Sequence, residues 1–372
     1  MHAVPRFFRV EGAAPEGAAE AQGGAAEAQG GAAEAQGGAA RGTSAKAGPP
    51  AIRCELCPHR CRIPAGKAGL CRVRVNQGGR PALPFYGRVS ALSIDPIEKK
   101  PLYHFRPGSS ILSVGFVGCN LRCPFCQNWE ISQATDAAAR TLSPRALVEE
   151  ALAARSFGIA YTYSEPTVHF EYVRDAMEAA REAGLANVLV TNGGILEEPA
   201  RELLALTDAA NVDLKAFNAP TYWRVLGGDL ATVMRFIEVA VASGVHVEAT
   251  TLVVPGLNDS EDETDACATF LAGVSPDLPW HLSAYRPEYR WDAPPTSADS
   301  LRRIAERGRK KLSYVYVGNI AGESNDTVCP HCASVAVRRN GYRVDATGLA
   351  YGSGPNGTSC RCARCGGALP FK

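Results

Sequence analysis

Eleven of the 13 cysteines in this chain fall into three spaced groups, and these groups carry most of its capacity for chemistry. In the central group, within the run GCNLRCPFCQNW, the spacing is C-x3-C-x2-C; its members are Cys119, Cys123 and Cys126. Three thiolates on one short loop can bind three irons of a cubane cluster and leave the fourth iron open to a chelating substrate. The alternatives are three buried core cysteines or a zinc loop that lacks one ligand.

The N-terminal group of cysteines offers four thiolates, which would close a metal site with no open position. Its spacing is C-x2-C-x3-C-x9-C, and its members are Cys54, Cys57, Cys61 and Cys71. Spacing alone does not decide between structural zinc, an auxiliary [4Fe-4S] cluster that could relay electrons, and unligated thiols. His59 is a rival fourth ligand. We therefore predict a second metal or cluster whose identity stays open.

The C-terminal group consists of two C-x2-C knuckles separated by a glycine-rich hairpin, a pattern typical of a zinc ribbon or a rubredoxin-like site. The predicted ligands are Cys329, Cys332, Cys362 and Cys365. Zinc is favoured because it prefers four thiolates and the ribbon needs no redox function; a redox-active iron is the alternative. Cys360 lies nearby and could compete. Cys267, on an amphipathic stretch, is predicted to be ordinary core.

From about residue 111 the chain alternates short apolar runs, such as ILSVGFVG, IAYTY and NVLVTN, with amphipathic helical stretches. Ser143 followed by Pro144 is typical of a helix N-cap and first turn, and Gly184 is typical of the residue that follows a helix. Strands that alternate with helices indicate βαβ units and a parallel sheet. The residues that do chemistry in such folds lie at the carboxyl ends of the strands.

Polar residues follow three of these predicted strands. Glu165 lies in TYSEP, Thr191 and Asn192 lie in VTNGG, and Asp213 and Lys215 lie in VDLKAF. Asp213 and Lys215 are two residues apart, so their side chains share one strand face. The plain alternatives are a helix N-terminal acid at Glu165, favoured by the helix dipole, and a strand-end ion pair between Asp213 and Lys215.

The run DPIEKKPLYHFRPGSSILSVGFVGCNLRCPFCQNWEISQ resembles the radical S-adenosylmethionine (SAM) superfamily, in the subgroup of glycyl-radical activating enzymes. It is closer still to the radical SAM member of the AmmeMemoRadiSam system, whose other members are AMMECR1-like and Memo-like proteins. The resemblance covers roughly residues 52–370. It implies an α/β fold, an incomplete (β/α)6 TIM-like barrel with small cysteine-rich modules at both ends. It also implies a [4Fe-4S] cluster that cleaves SAM to a 5′-deoxyadenosyl radical, which abstracts hydrogen from a substrate.

The resemblance assigns roles to the polar residues that follow the strands. Where the superfamily has Gly-Gly-Glu, this chain has Tyr163, Ser164 and Glu165, and the carboxylate of Glu165 would receive the methionyl ammonium of SAM. Thr191 and Asn192 would meet the carboxylate or ribose of SAM.

Further along the chain, the resemblance places Asp213 near SAM and Lys215, a catalytic candidate, near substrate. The activating enzymes usually carry an Arg where this chain has Thr250, so the contact to SAM must be rearranged, with Glu248 or water as substitutes. His281 is a second catalytic candidate, although it could equally be satisfied in the barrel wall.

Composition and charge limit the kinds of partner and the cellular location that we expect. The net charge is +1 and no apolar run approaches the ~20 residues of a membrane span, so we expect neither nucleic acid nor membrane as a partner. No secretory signal is visible at the N-terminus, which predicts a cytoplasmic protein. We predict four regions: 1–48, disordered and low in complexity; 49–80, a cysteine module; 81–320, the core; and 321–372, the ribbon.

The substrate is predicted to be a small metabolite or a protein, and a flavodoxin- or ferredoxin-like protein is predicted to supply the electron. Activation of a glycyl-radical enzyme is the alternative within the same class. A non-catalytic zinc-binding or electron-carrier protein is less favoured, because a carrier would need no Glu165 or Asp213 and its cluster would have a fourth cysteine ligand.

Overall fold

The computed structural model describes residues 3–11, 48–354 and 357–372. The strands are β1 Phe8–Val10, β2 Ile52–Cys54, β3 Arg62–Ile63, β4 Val75–Gln77, β5 Arg80–Ala82, β6 Arg88–Pro96, β7 Ser110–Phe116, β8 Arg140–Thr141, β9 Gly158–Thr162, β10 Ala186–Thr191, β11 Ala209–Asp213, β12 His246–Val253, β13 Trp280–Ala284, β14 Val315–Gly318, β15 Thr327–Val328, β16 Val335–Asn340, β17 Arg343–Asp345, β18 Leu349–Gly354, β19 Gly357–Cys362 and β20 Ala368–Leu369. The helices are α1 Trp129–Ser132, α2 Pro144–Ala153, α3 Phe170–Glu182, α4 Glu197–Leu204, α5 Ala219–Thr221, α6 Leu230–Ala242, α7 Glu261–Val274 and α8 Ala298–Gly308.

The largest sheet has nine strands in the order β14-β13-β12-β11-β10-β9-β7-β6-β8. β7 and β9 to β14 are parallel and follow one another in chain order, with helices between them, whereas β6 and β8 are antiparallel. Within the described residues, this gives six strand–helix units and a seventh parallel strand, and no pairing joins the two edge strands, β14 and β8. The predicted α/β class, with an incomplete barrel and cysteine-rich modules at both ends, is confirmed.

The parallel strands form where the sequence predicts them because both of their faces are buried. β9 is buried at every residue and β7 at every residue but Ser110, which accounts for their nearly continuous apolar sequences. The predicted helix signals are also confirmed. Ser143 Oγ accepts a hydrogen bond from the backbone of Ala146 at 3.0 Å, and Gly184 follows α3 with φ +74°.

A loop at residues 100–108 fills the barrel at the amino-terminal halves of the strands. Leu102 and Phe105 pack against Ile111, Ala160 and Val188, which all lie near the starts of their strands. Since this end is filled by side chains, the carboxyl ends of the strands remain for chemistry. No helix in the described part of the chain is long and apolar enough to span a membrane.

The C-terminal ribbon, with strands β15 to β20, has a small core of its own and docks on this filled end. The ring of Phe371 stacks on His104 with 4.1 Å between centroids, and the guanidinium of Arg339 lies 4.4 Å from the ring centroid of Tyr103. The backbone of Lys372 also donates to the carbonyl of His104 at 2.9 Å. The ribbon is therefore tied to the loop that fills the barrel.

The prediction of disorder over residues 1–48 is wrong for residues 3–11. β1 pairs with β2 in antiparallel fashion, and the ring of Phe7 lies edge-on to Phe170 at 4.9 Å. Arg6 forms an ion pair with Glu202 at 2.5 Å, and its carbonyl accepts from buried Arg74. Two aromatic residues and an arginine in this segment contact the rest of the protein. The prediction overlooked them because the sequence that follows is low in complexity. Residues 12–47, with the GAAEAQG repeats, lie outside the described residues.

This docking predicts that deletion of residues 3–11 will destabilise the protein by at least ~2 kcal/mol, because it exposes Phe170 and leaves a donor of Arg74 without its carbonyl. Replacement of residues 12–47 by a short Gly/Ser linker is the matched control and should leave stability unchanged. Urea unfolding of both variants measures the difference. Equal losses would contradict the docking.

Candidate active site

The central cysteine loop is held between the barrel and the N-terminal cysteine module. It follows β7 through Gly118, whose φ is +84° and whose backbone leaves no room for a side chain, since a Cβ would lie 2.5 Å from the carbonyl of Cys71. The backbone of Leu121 donates to Cys119 Sγ at 3.3 Å, and Cys126 Sγ lies 3.1 Å from Ser132 Oγ. The loop therefore presents its thiols in a fixed arrangement.

The thiols of this loop fit a cluster better than a single ion. Burial raises the pKa of Cys123 to about 11, and burial and the nearby Glu165 raise that of Cys119 well above its usual value. Buried thiols of this kind need a cation before they ionise. Three thiolates leave a tetrahedral ion one ligand short, whereas in a cubane each thiolate binds a different iron.

Three of the predicted SAM-binding residues meet at the ends of β9 and β10. The buried carboxylate of Glu165 accepts from Thr191 Oγ1 at 2.7 Å and from the backbone of Asn192 at 2.8 Å. Its Oε1 also accepts from the backbone and hydroxyl of Thr167, so Glu165 caps the short 3-10 helix Pro166–His169. Burial raises the pKa of Glu165 despite these bonds. Among the described residues, Oε1 has three donors and Oε2 has one, so Oε2 is the oxygen with spare acceptor capacity.

Asn120 joins these residues to the cysteine loop, and the sequence reasoning missed it. Its Oδ1 accepts from Asn192 Nδ2 at 2.9 Å, and its Nδ2 donates to the carbonyl of Gly194 at 2.7 Å. Asn192 Nδ2 also lies 3.7 Å from Cys119 Sγ. The one available signal was an amide side chain directly after the first cysteine of the loop.

Asp213 and Lys215 form an ion pair beside the same loop. Lys215 Nζ lies 2.8 Å from Asp213 Oδ2, and the backbone of Lys215 donates to the hydroxyl of Tyr222 at 3.0 Å. Burial lowers the pKa of Lys215, but Asp213 and Cys123 outweigh burial and raise it. The ammonium lowers the pKa of Cys123 in turn, against the larger effect of burial. The two residues therefore lie near Cys123 of the central cysteine loop.

Thr250 and Glu248 both form hydrogen bonds to other residues of the protein. Thr250 pairs with Asp213 across the sheet, but its hydroxyl donates to Asn211 at 2.9 Å. Glu248 cannot replace the missing Arg, because it is 0% exposed and both oxygens of its carboxylate already have partners within the protein. It lies 3.0 Å from His246 and accepts from the backbones of residues 103 and 104. That suggested substitution is therefore wrong.

His281 belongs to the same buried network. Its Nε2 lies 2.6 Å from Glu248 Oε2, and its ring contacts the rings of Tyr103 and Tyr316 at 4.6 Å and 5.3 Å between centroids. Burial raises the pKa of Glu248, but the imidazoles of His246 and His281 outweigh it and hold that pKa well below its usual value. These contacts favour the alternative that His281 is satisfied in the barrel wall.

The motif DPIEKK supplies a second cluster of charges that the sequence reasoning left without a role. Asp95 accepts from Lys100 at 2.6 Å, from Lys99 at 2.8 Å and from the hydroxyl of Tyr163 at 2.5 Å. Tyr163 has φ +68°, a conformation typical of the glycine it replaces. The hydroxyl of Tyr163, two residues before Glu165, therefore has a charged partner on β6.

The N-terminal cysteine module touches the cysteine loop directly. His59 Nε2 lies 2.8 Å from the carbonyl of Asn120, a partner other than the thiols it was expected to rival. Burial, and then the neighbouring thiols of Cys54, Cys71 and Cys61, raise the pKa of Cys57 to about 12. The four cysteines of this module therefore lie close together.

The predicted ligands of the ribbon converge in space. The Sγ atoms of Cys329, Cys332, Cys362 and Cys365 all lie within 4.8 Å of one another, and two of the distances are 3.8 Å. A tetrahedral ion with metal–sulfur bonds of about 2.3 Å would place its thiolates roughly this far apart. Cys360 is outside this group, and Cys267 is buried on α7, both as predicted.

We expect the ribbon to bind one zinc ion per chain, so a Cys329→Ser/Cys332→Ser variant should lose that zinc, because two of four ligands are gone. The matched control, Cys360→Ser, should keep it. Elemental analysis of the purified full chain measures the difference. A red protein with a reversible one-electron couple at this site would overturn the assignment to zinc.

The chain is similar in sequence to a known protein family and to several known proteins. The model of the Radical SAM superfamily matches residues 113–267. An uncharacterised protein of Methanocaldococcus jannaschii is 40% identical over 297 residues, which cover 77% of this chain and 87% of that protein. The pyruvate formate-lyase 1-activating enzyme of Escherichia coli is 26% identical over 166 residues, 42% of this chain and 65% of the enzyme.

One further curated protein and one solved structure are also similar to this chain. The benzylsuccinate synthase activating enzyme of Thauera aromatica is 24% identical over 242 residues, 60% of this chain and 70% of the enzyme. Among solved structures, a radical SAM methyltransferase from Sphaerobacter thermophilus is 18% identical with a TM-score of 0.47, over 57% of this chain and 67% of that structure.

Proposed function

Because the chain belongs to the radical SAM superfamily, we propose that it binds a [4Fe-4S] cluster through Cys119, Cys123 and Cys126 and cleaves SAM reductively. The observation that carries this proposal is the three-thiol loop at the carboxyl end of β7, which meets buried Glu165 through Asn120 and Asn192. When bound, the cluster and SAM would together supply an electron and a 5′-deoxyadenosyl radical able to abstract hydrogen.

The chain's own residues would bind and orient SAM. Glu165 Oε2 is placed to accept from a cationic amino group, and its bonds to Thr191 and Asn192 hold two strand ends at a fixed separation. Asp213 supplies a second carboxylate at the next strand end, where it forms an ion pair with Lys215. The loop at residues 100–108 fills the amino-terminal end of the barrel and would exclude water from that side, which protects a radical from side reactions.

We propose a small metabolite or an uncharacterised protein as the substrate. Thr250 stands where the activating enzymes usually carry an arginine, and its hydroxyl is bonded to Asn211, so this part of the site differs from theirs. Activation of a glycyl-radical enzyme is the second candidate, and the activating enzymes of Escherichia coli and Thauera aromatica among the relatives favour it.

The proposed partners are a flavodoxin- or ferredoxin-like electron donor and, from the resemblance of DPIEKKPLYHF, AMMECR1-like and Memo-like proteins. A cytoplasmic setting is proposed with them, because clustered thiols stay reduced there.

The test is anaerobic reconstitution with iron and sulfide, followed by addition of SAM and dithionite. Formation of 5′-deoxyadenosine and methionine, measured by chromatography, supports the proposal; a reconstituted chain that leaves SAM intact contradicts it. Transfer of deuterium from labelled metabolites into 5′-deoxyadenosine would identify the substrate class. A protein-based glycyl radical in an added partner would instead favour the activase.

A further inference from the structure

We propose that the N-terminal cysteine module binds a second [4Fe-4S] cluster, which accepts electrons from an acidic carrier protein. The ligands would be Cys54, Cys57, Cys61 and Cys71. This inference rests on the proposed function, because the electron would serve the reductive site that the module touches.

The sulfurs of this module are less tightly gathered than those of the ribbon. Whereas the four ribbon sulfurs lie within 4.8 Å of one another, no three sulfurs of the N-terminal module, all of them in the described range 48–354, meet that limit. A zinc ion with bonds of about 2.3 Å would draw its thiolates to roughly 3.8 Å. In a cubane each thiolate binds a different corner, so neighbouring thiols with a wider spread fit a cluster.

A buried guanidinium stands beside these thiols with one donor unused. Arg74 is 1% exposed, and its Nη atoms donate to both carboxylate oxygens of Glu171 and to the carbonyl of Arg6. Its buried Nε makes no hydrogen bond of full geometry among the described residues, and the guanidinium lies close enough to Cys54 to oppose the rise in the pKa of that thiol that burial causes. Hydrogen bonds to the sulfurs are a principal means by which proteins tune iron–sulfur clusters, so a cluster would give this donor its partner.

The module lies against the central cysteine loop. His59, between Cys57 and Cys61 in the chain, contacts the carbonyl of Asn120 at 2.8 Å, and Asn120 directly follows Cys119. Zinc at this position could not accept or release an electron. A cluster there could hold an electron next to the central cysteine loop, where the electron is needed.

The surface of the module is basic. Residues 51–80 contain seven basic residues and one acidic residue, a net charge of +6 in a chain whose total is +1. Arg53 and Arg62 are paired across β2 and β3, so their side chains share one face. Four exposed basic residues here belong to no ion pair within the described residues: Arg53, Arg60, Lys67 and Arg80. Such a surface attracts an acidic electron carrier and repels a basic one.

The electron transfer breaks and forms no bond. The carrier, a reduced low-potential protein of the ferredoxin class, is oxidised by one electron, and the cluster of the module is reduced by one. The electron then passes toward the central loop through the contact between His59 and Asn120, and the module returns to its oxidised state.

Metal content of the reconstituted full chain tests the cluster. We expect roughly eight irons and one zinc per chain, since two cubanes hold four irons each. A Cys57→Ala/Cys61→Ala variant should lose about half of the iron, whereas Cys267→Ala, at a buried core cysteine, should lose none. The Cys119→Ala/Cys123→Ala/Cys126→Ala variant should keep an EPR signal that SAM does not alter.

Four irons with two zincs in the wild type, or a triple variant without iron, would overturn the inference. The metal content of the wild type does not depend on the folding of any variant. The two proposals fail separately. If the wild type cleaves SAM and the triple variant holds no iron, only the second cluster is lost. If a chain with eight irons leaves SAM intact, only the proposed function is lost.

Docking is tested by mixing the oxidised holoprotein with a reduced acidic [2Fe-2S] ferredoxin. A charge reversal, Arg53→Glu/Arg60→Glu/Lys67→Glu, should slow electron transfer by at least about tenfold, and added salt should slow the wild type. The matched control is Arg303→Glu/Lys310→Glu, at exposed residues on and just after α8. Dithionite, which needs no docking, should reduce every variant equally. Equal rates with ferredoxin would overturn the docking surface.

Discussion

Replacement of Cys119, Cys123 and Cys126 together by alanine is expected to abolish SAM cleavage and remove about four irons per chain, the content of one cubane. The loss of rate should be at least about 1,000-fold, because the variant loses the open iron at which SAM would bind and be reduced. The ribbon zinc should remain, since its four sulfurs lie in a separate module with its own core. Iron analysis and chromatography of 5′-deoxyadenosine measure both effects.

Cys267→Ala is the control for this variant, because that cysteine is buried on α7 and belongs to none of the three groups. It should keep full iron content and cleavage. If the triple variant retained all of its iron and still cleaved SAM, the assignment of the central loop would be wrong.

The second large effect is expected at Glu165. Glu165→Ala should weaken SAM binding by roughly 10- to 100-fold, the loss of a charge-assisted hydrogen bond, while the iron stays bound. The same change leaves the hydroxyls of Thr167 and Thr191 and the backbone of Asn192 without their acceptor, so stability should also fall. Equilibrium binding of SAM to the folded fraction separates the two effects.

Two further variants distinguish the roles of Glu165. Thr167→Val removes one hydrogen bond to the carboxylate and keeps its charge, so it should lower stability with little change in SAM affinity. Glu165→Gln keeps the shape and loses the charge, so it should weaken SAM binding with less cost in stability. Unchanged SAM affinity in Glu165→Gln would leave the carboxylate as a helix cap alone.

Much of the fold follows from short-range patterns in the sequence. The apolar run of β7, the Ser143–Pro144 helix start and the two C-x2-C knuckles of the ribbon each place their residues within a few positions of one another. Spacing and periodicity therefore sufficed to predict them. The gathering of Glu165 with Thr191 followed from a general property of parallel sheets, whose strand ends meet at one edge.

Contacts between distant segments could not be predicted in this way. The carboxylate of Glu248 contacts imidazoles on β12 and β13 and accepts a hydrogen bond from the backbone of the loop at 100–108. The local sequence VEATT gives no sign of these partners. The docking of residues 3–11 depends on Arg74 and Glu202, far along the chain. The role of Asn120 likewise depends on a distant residue, because its partner Asn192 lies just after β10.

Direct binding of SAM to the iron that Cys119, Cys123 and Cys126 leave open is the central claim. The most direct measurement is electron–nuclear double resonance of the reduced cluster with SAM labelled by nitrogen-15 in its amino group or oxygen-17 in its carboxylate. The Cys57→Ala/Cys61→Ala variant is the suitable sample, so that no second cluster contributes to the signal. We predict strong coupling to both labels. A reduced cluster whose spectrum is unchanged by either label, in a protein saturated with SAM, would contradict the claim.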